Sequence, residues 1–209
     1  MAPDVTIVLP RLYALADASL FSSNVAFMRF VDELVDGGVS LLQYRDKSGS
    51  PRQILDQAYE MKRRMGNAVK LIMNDRADFC VAAGFDGVHV GQEDLSPDGA
   101  RRLVGPERWL GVSTHNPEQV RTADKTSADY LAIGPVFATS SKANPDPVVG
   151  LEGVRAARAL TQKPLVAIGG ITRKNCRSVI DAGADSVAVI SDLLRESNKR
   201  VRDFLAILG

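Results

Sequence analysis

The 209-residue sequence predicts an α/β protein, a (β/α)8 TIM barrel formed by one domain over residues 1–209. Short apolar segments alternate with longer amphipathic ones, and eight of the short segments occur along the chain. Strict alternation predicts parallel strands with right-handed crossovers, and eight units favour closure into a barrel. An open doubly wound sheet would have a glycine-rich loop after its first strand. This chain has Asp17-Ala18-Ser19 there instead.

The predicted strands are rich in Val, Ile and Leu without clean polar alternation, which is typical of strands buried on both faces. They are Leu12–Ala16, Leu41–Arg45, Lys70–Asn74, Gly87–Gly91, Trp109–Ser113, Tyr130–Gly134, Pro164–Gly169 and Ser186–Ile190. Proline or glycine marks the ends of several predicted helices. These are Asn24–Asp36, Pro51–Met65, Asp78–Ala83, Pro97–Val104, Pro117–Asp124, Leu151–Leu160, Lys174–Ala182 and Leu193–Leu208. Residues 140–150 follow neither pattern and are predicted to form a long loop.

Composition argues against several classes of function. Lys plus Arg number 26 and Asp plus Glu 25, so a net charge of +1 provides no bulk field for nucleic acid or an acidic membrane. No apolar segment approaches the ~20 residues of a membrane-spanning helix, and the N-terminus does not resemble a signal peptide. Cys80 and Cys176 stand far apart, as expected of reduced thiols in a cytoplasmic protein. Anion binding must therefore come from local clusters.

Polar side chains gather where the predicted strands end, which is where active sites lie in this fold. Strand two ends in Gln43-Tyr44-Arg45-Asp46-Lys47. Alternation places Gln43, Arg45 and Lys47 on one side, pointing into the barrel mouth. Two cations there are costly to bury unless they meet an anion. We therefore expect an anionic ligand, with an internal ion pair to Asp or Glu as the alternative.

Asp75 and Asp94 follow the neighbouring strands three and four, so both can reach one point above the barrel. Two carboxylates suit Mg²⁺, which keeps waters and takes its other ligands from phosphate. The alternative is that Asp75 caps the next helix and Asp94 caps a turn. His89 and His115 lack a third ligand at suitable spacing, so a zinc site is not expected. A structural hydrogen bond explains His115 better than acid–base chemistry does.

The later strands end in residues typical of phosphate binding. The loop after strand six contains Thr139-Ser140-Ser141-Lys142, whose hydroxyls and ammonium could clamp an anion. Gly169-Gly170 ends strand seven and Ile190-Ser191 ends strand eight. Loops seven and eight form the usual phosphate site of this fold. For the glycines alone, a tight turn is the alternative explanation.

Seven motifs follow one another along strands two to eight. They are Gln43-x-Arg45-x-Lys47, Asn74-Asp75, Gly87-Val88-His89-Val90-Gly91-Gln92-x-Asp94, Gly111-Val112-Ser113-x-His115, Gly134-Pro135-x-Phe137-x-Thr139-x-Ser141-Lys142, Ala167-Ile168-Gly169-Gly170-Ile171 and Ile190-Ser191. In this order the motifs resemble the thiamine phosphate synthase (thiamine-phosphate pyrophosphorylase) family. One departure is Ser141, where the family commonly has a second threonine. The hydroxyl is kept.

The resemblance implies ligands for each residue set. The 4-amino-2-methyl-5-hydroxymethylpyrimidine diphosphate would be bound by Gln43, Tyr44, Arg45, Asp46, Lys47, Asn74, Ser113 and Lys142. The thiazole phosphate would be bound by Thr139, Ser140, Ser141, Gly170, Ile190 and Ser191. The resemblance also implies that Asp75 and Asp94 hold Mg²⁺ and that the protein is a homodimer. Arg45, Lys47 and Lys142 would be the catalytic residues.

The implied reaction joins both substrates to give thiamine phosphate and diphosphate. Clustered cations and Mg²⁺ would stabilise the departing diphosphate, so the reaction needs no nucleophilic side chain. Two alternatives are a thiazole tautomerase, which needs neither diphosphate nor metal, and a non-catalytic phosphate-binding regulatory barrel. Retention of the charged residues at positions 45, 47, 75, 94 and 142 favours the synthase. We expect Arg45→Ala or Lys142→Ala to cripple turnover without unfolding the chain.

Overall fold

The computed structural model describes residues 7–139 and 146–209. Within these ranges eight parallel strands close into a barrel in sequence order, which confirms the predicted fold class. The strands are β1 (Leu12–Asp17), β2 (Leu41–Arg45), β3 (Lys70–Asn74), β4 (Gly87–Val90), β5 (Trp109–Thr114), β6 (Tyr130–Ile133), β7 (Leu165–Ile168) and β8 (Ser186–Val189). The helices are α1 (Asn24–Asp36), α2 (Pro51–Met65), α3 (Ala77–Ala82), α4 (Pro97–Val104), α5 (Pro117–Asp124), α6 (Gly150–Arg158), α7 (Cys176–Asp181) and α8 (Ser197–Leu208).

Local sequence explains where several helices begin. Ser23, Ser96 and Asn116 each accept a hydrogen bond from the backbone N–H three residues later, which caps α1, α4 and α5. Ser50 and Gln53 form a reciprocal capping box at α2. These caps satisfy N–H groups that have no partner inside the helix.

The last two helices begin later than the sequence predicts. Ser191–Leu193 forms a separate 3-10 turn, and Glu196 adopts a left-handed φ of +47°. This conformation interrupts the predicted helix Leu193–Leu208, so α8 begins at Ser197. The segment before α7 is a turn in which the backbone N–H of Thr172 donates to Asn175 Oδ1 at 2.7 Å.

The hydrophobic core has two layers. The larger one lies between the strands and the surrounding helices. The smaller one fills the barrel interior and includes Tyr13, Leu41, Ile72, Tyr130 and Val166. Two tyrosine hydroxyls thus lie among apolar side chains, and each must find a hydrogen-bond partner there. In the described ranges, no helix combines the length and apolar character needed to cross a membrane.

A repeated contact ties the barrel together at the amino ends of the strands. Asp86, Asp129 and Asp185 precede β4, β6 and β8, and each accepts from the backbone N–H of the strand before it, at 2.9, 2.6 and 2.8 Å. Each also pairs with a cation on an outer helix. This end is opposite to the strand carboxyl ends, so these polar residues serve stability and leave the other end for function.

Candidate active site

Strand β2 directs its alternate side chains towards the carboxyl end of the barrel. Gln43 lies inside and donates to the Tyr13 hydroxyl at 2.8 Å. Arg45 forms an ion pair with Asp17, a buried residue that ends β1 and is its register partner. Lys47 Nζ lies 3.1 Å from Asp75 Oδ2. Both cations therefore have internal carboxylate partners, which was the alternative expected from the sequence, and both stand at the same rim.

Tyr44 and Asp46 do not direct their side chains to the mouth. Tyr44 is fully buried beneath α2, where its hydroxyl donates to Gln57 Oε1 at 2.6 Å. Asp46 Oδ1 accepts from the backbone N–H groups of Ser48 and Gly49, both at 2.8 Å, and so orders the β2–α2 loop. Any binding of the pyrimidine diphosphate by these two residues would therefore have to use the main chain, because alternation along the strand turns both side chains away.

The two predicted metal ligands meet at the ends of β3 and β4. The carboxyl groups of Asp75 and Asp94 lie close enough to interact directly. Asp75 has a left-handed φ of +61°, which is uncommon for a residue other than glycine and is often found at functional sites. Burial, together with the neighbouring Asp94, raises the pKa of Asp75, while Lys47 opposes that rise. The site thus carries excess negative charge in one place.

The capping alternatives have different outcomes for the two aspartates. The residue capping α3 is Arg76, which makes no side-chain cap hydrogen bond, so Asp75 does not cap that helix. Asp94 does accept from the backbone N–H of Gly91 at 2.7 Å, so it closes its own turn. This bond uses Oδ2 and fixes the carboxylate beside Asp75. Turn closure and ion binding are compatible roles for one carboxylate.

The carboxylate pair fits a hard divalent cation. Two like charges in contact repel unless a proton or a cation lies between them. Within residues 7–139 and 146–209, no group of three or more His, Cys, Asp or Glu is placed to hold a metal ion. A metal bound here would therefore take its remaining ligands from water and from a ligand phosphate, as Mg²⁺ commonly does. Asp75 and Asp94 are the residues that could hold it.

A neutral hydrogen-bonded chain lies below the charged rim. The hydroxyls of Tyr13 and Tyr130 are 3.1 Å apart, and Tyr130 Oη lies 3.1 Å from His89 Nδ1. His89 Nε2 lies 2.8 Å from Ser113 Oγ. Burial lowers the pKa of His89 to about 4, so its imidazole is neutral at pH 7. The sequence motifs did not include either tyrosine. In the sequence, Tyr13 and Tyr130 stand out only as polar aromatic residues within otherwise apolar strands.

The loop after β6 is hydrogen-bonded along the end of β7. The backbone N–H groups of Val136 and Phe137 donate to the carbonyls of Ile168 and Gly169, at 2.9 and 3.0 Å. Gly170 has a left-handed φ of +63°, and a Cβ there would lie 2.5 Å from the Ala138 carbonyl oxygen. Glycine is therefore required at this close approach. It brings loop seven to the residue just before Thr139.

An aspartate joins the two predicted phosphate loops. Asp192 Oδ2 accepts from the Arg173 backbone N–H at 3.0 Å and from Arg173 Nε at 3.1 Å. Its Oδ1 accepts from Arg200 at 2.8 Å. Asp192 thus fixes the loop that follows Gly170 to the turn that begins at Ser191. The sequence motifs ended at Ser191 and did not include this residue.

The remaining predicted residues have different outcomes. Asn74 is half-buried at the end of β3, and Ile190 immediately precedes the exposed Ser191 after β8. His115 Nδ1 lies 2.7 Å from the Gly134 carbonyl oxygen, which confirms the structural hydrogen bond expected for it. The predictions for Ser140, Ser141 and Lys142 fall outside the described residues.

Comparison with known proteins decides the family. A family model described as thiamine monophosphate synthase matches residues 12–193. The chain belongs to this family. A thiamine-phosphate synthase of Koribacter versatilis is 64% identical over 203 residues, which are 96% of each chain. One from Chloroflexus aurantiacus is 44% identical over 184 residues, 87% of this chain and 83% of that one.

Solved structures agree with the family assignment. The structure of thiamine phosphate pyrophosphorylase from Pyrococcus furiosus superposes with a TM-score of 0.84 at 30% identity, over 95% of each chain. The resemblance inferred from the ordered motifs is therefore confirmed. As a member of this family, the chain is a transferase of thiamine biosynthesis.

Proposed function

We propose that the chain is a magnesium-dependent thiamine phosphate synthase. It transfers the 4-amino-2-methylpyrimidinyl methylene group from its diphosphate to the nitrogen of a thiazole phosphate. The observation that supports this most is the charge pattern at one rim. There Lys47 contacts the carboxylate pair Asp75 and Asp94, Arg45 lies at the same end of the barrel paired with Asp17, and the interior below is neutral. A diphosphate with its metal needs this combination, because its charges require both cations and metal ligands.

The two layers of the site suggest how the pyrimidine diphosphate is oriented. Gln43 and Ser113 belong to the neutral hydrogen-bonded network inside the barrel, whereas Arg45 and Lys47 lie at the charged rim. A neutral pyrimidine ring placed inward meets hydrogen-bonding groups without burying charge. The diphosphate then lies at the rim with the cations. This orientation leaves the methylene carbon between the two layers, open to the thiazole.

The reaction breaks the bond between the methylene carbon and the diphosphate oxygen, and the electron pair leaves with the oxygen. The aminopyrimidine ring spreads the positive charge that develops on carbon. Arg45, held by Asp17, and Lys47 would stabilise the negative charge on the departing oxygens. Bound Mg²⁺ would neutralise a further part of that charge. Removal of one such electrostatic group typically costs ~10²–10³ in rate.

The thiazole phosphate would be anchored by the loops after β7 and β8. Gly170 allows close approach of the backbone, and Ser191 opens the turn that Asp192 fixes in place. Anchoring the phosphate aims the thiazole nitrogen at the methylene carbon, where its lone pair forms the new C–N bond. Holding two reactants in line in this way supplies part of the rate enhancement. Thr139 is the last described residue before positions 140–145.

An assay with both substrates tests the proposal. The purified chain should release diphosphate and form thiamine phosphate only when both substrates and Mg²⁺ are present. EDTA should stop the reaction, and excess Mg²⁺ should restore it. Lys199 is an exposed lysine on α8, and Lys199→Ala serves as a control for the effects of expressing and purifying a variant.

The two alternative functions give different results in that assay. A thiazole tautomerase would isomerise its thiazole phosphate without the pyrimidine diphosphate and would not respond to EDTA. A regulatory barrel would bind phosphate but release no diphosphate. Either result would contradict the proposal.

We also propose a cytoplasmic homodimer, as the family resemblance implies. Light scattering on the purified chain separates one copy from two. A monomer at the concentration used for activity would overturn the dimer without affecting the proposed reaction.

A further inference from the structure

We infer that Tyr13, Tyr130 and His89 form a directional hydrogen-bond relay that makes the Ser113 hydroxyl a donor to a ring nitrogen of the pyrimidine substrate. These three residues are positioning residues, since they act through Ser113. The inference rests on the proposed function for the identity of the ligand. The direction of the relay is a property of the protein alone.

The direction begins at Gln43. Its Nε2 donates to Tyr13 Oη at 2.8 Å. Tyr13 then has one proton to donate, and the partner found for it among the described residues is Tyr130 Oη at 3.1 Å. A buried hydroxyl proton without an acceptor is costly. In the part of the chain that the structure describes, the one buried side-chain nitrogen or oxygen without a hydrogen-bond partner is Arg200 Nε, which does not belong to this relay. Tyr13 therefore donates to Tyr130.

The direction continues through the histidine. Because Tyr130 accepts from Tyr13, its own proton goes to His89 Nδ1 at 3.1 Å. A neutral imidazole has one N–H, so an accepting Nδ1 places the proton on Nε2. The ring is buried, and both of its nitrogens lie within hydrogen-bond distance of neutral hydroxyl groups. Nε2–H then donates to Ser113 Oγ at 2.8 Å.

Ser113 is left with a proton to donate. Its oxygen already accepts from His89, and its side chain is half-buried at the barrel mouth. An acceptor that enters the mouth is therefore the natural partner for this hydroxyl. The relay consists of neutral groups and lies below Arg45 and Lys47. A neutral ring nitrogen matches this layer, whereas a diphosphate oxygen matches the cations above it.

Gly111 provides independent evidence that the relay is built into the barrel. A Cβ at this position would lie 2.1 Å from Tyr130 Cζ and 2.4 Å from His89 Nδ1. The φ of Gly111 is not in the left-handed region, so the backbone does not require glycine there. Gly111 lies on β5, between His89 on β4 and Tyr130 on β6, and its lack of a side chain leaves room for their contact.

The first test reads the tautomer of His89 in the ligand-free protein. The chain has two histidines, so ¹⁵N NMR of histidine-labelled protein at pH 7.5, compared with His115→Gln, assigns the signals. We expect a neutral ring protonated at Nε2. Tyr130→Phe should shift it towards a mixture of tautomers. A ring protonated at Nδ1 in the unsubstituted protein would overturn the direction of the relay, whatever the enzymatic activity.

The second test reads the effect on the substrate. Tyr130→Phe and Tyr13→Phe should raise KM for the pyrimidine diphosphate by roughly tenfold, since a buried hydrogen bond loses its donor. KM for the thiazole phosphate and the affinity for inorganic diphosphate with Mg²⁺ should not change. His89→Gln keeps an N–H near Ser113 and should be milder than His89→Leu. If one tyrosine variant fails to fold, the other still tests the relay.

The outcomes separate the relay from the proposed function. If the tyrosine variants bind inorganic diphosphate as weakly as they bind the pyrimidine diphosphate, the Ser113 hydroxyl contacts a diphosphate oxygen. That result would overturn the assignment of this contact to the pyrimidine ring. An unchanged tautomer and unchanged KM in both tyrosine variants would overturn the relay. An enzyme that releases no diphosphate, yet shows the predicted tautomer, would overturn the proposed function and the pyrimidine assignment while the relay direction stands.

Discussion

The Lys47 ammonium lies 3.1 Å from the Asp75 carboxylate at the barrel mouth. The Lys47 side chain is 55% exposed, so the pair is accessible to a ligand that enters from solvent. Asp75 also contacts Asp94, and one lysine does not balance two carboxylates. A divalent cation with a diphosphate would offer the aspartates a metal and Lys47 a phosphate oxygen. The ion pair thus brings together two groups that the proposed reaction uses.

The carboxylate pair predicts a change in magnesium dependence. Asp75→Asn should raise the Mg²⁺ concentration needed for half-maximal rate by at least roughly tenfold, because it removes one of the two proposed anionic ligands. The measurement is diphosphate release across a Mg²⁺ titration. Asp78→Asn, an exposed aspartate paired with Arg76, is the matched control and should behave as the unsubstituted chain does. Equal Mg²⁺ dependence in both variants would place the metal elsewhere.

The ion pair between Asp17 and Arg45 predicts a positioning effect on the first substrate. Asp17→Asn removes the negative charge that holds Arg45 at the rim. We expect kcat/KM for the pyrimidine diphosphate to fall between about tenfold and a hundredfold, since small misplacements of a reacting group have effects of this size. KM for the thiazole phosphate should stay unchanged. A loss shared equally by both substrates would indicate general disruption of the barrel.

The contacts of Asp192 predict a defect confined to the second substrate. Asp192→Asn weakens the link between the loop after β7 and the turn after β8. KM for the thiazole phosphate should rise by about tenfold, from loss of charged hydrogen bonds that hold the loops. Asp181→Asn, whose exposed carboxylate pairs with Arg177 on α7, is the control. An unchanged KM in Asp192→Asn would separate these loops from phosphate binding.

Burial of His89 predicts a loss of stability in acid. Its folded pKa is about 4, below the ordinary value of 6.5. Below pH 6.5 the unfolded chain binds a proton that the folded chain does not, so stability falls as the pH decreases towards 4. By pH 5 this costs about 2 kcal/mol. Urea unfolding at pH 7.5, 6 and 5 should show a smaller pH dependence in His89→Gln. Identical dependence in both proteins would contradict the neutral, buried histidine.

The fold was predictable because its signals are local. Short apolar strands recur along the chain, and proline or serine at helix starts and glycine at helix ends mark several of the units. The start of α8 was not predictable, since Leu193 and Leu194 continue a helical pattern that the left-handed Glu196 breaks. The backbone conformation of one charged residue leaves no mark in hydrophobic periodicity.

The candidate site was predictable only in part, for a related reason. The motifs located Arg45, but its partner Asp17 depends on the register of β1 against β2, which the sequence does not show. The contact between Tyr13 and Tyr130 joins residues 117 positions apart across the barrel. The side of the strand taken by Tyr44 follows from alternation, yet the binding set implied by the family resemblance included it with its neighbours.

The rate of diphosphate release in a single turnover tests most directly whether the rim cations stabilise the leaving group. With both substrates and Mg²⁺ saturating, Arg45→Ala and Lys47→Ala should each slow this step by ~10²–10³, and Lys199→Ala should not slow it. Circular dichroism on each variant verifies that the barrel is intact. Diphosphate release at the unsubstituted rate in both rim variants would contradict the proposed role of Arg45 and Lys47.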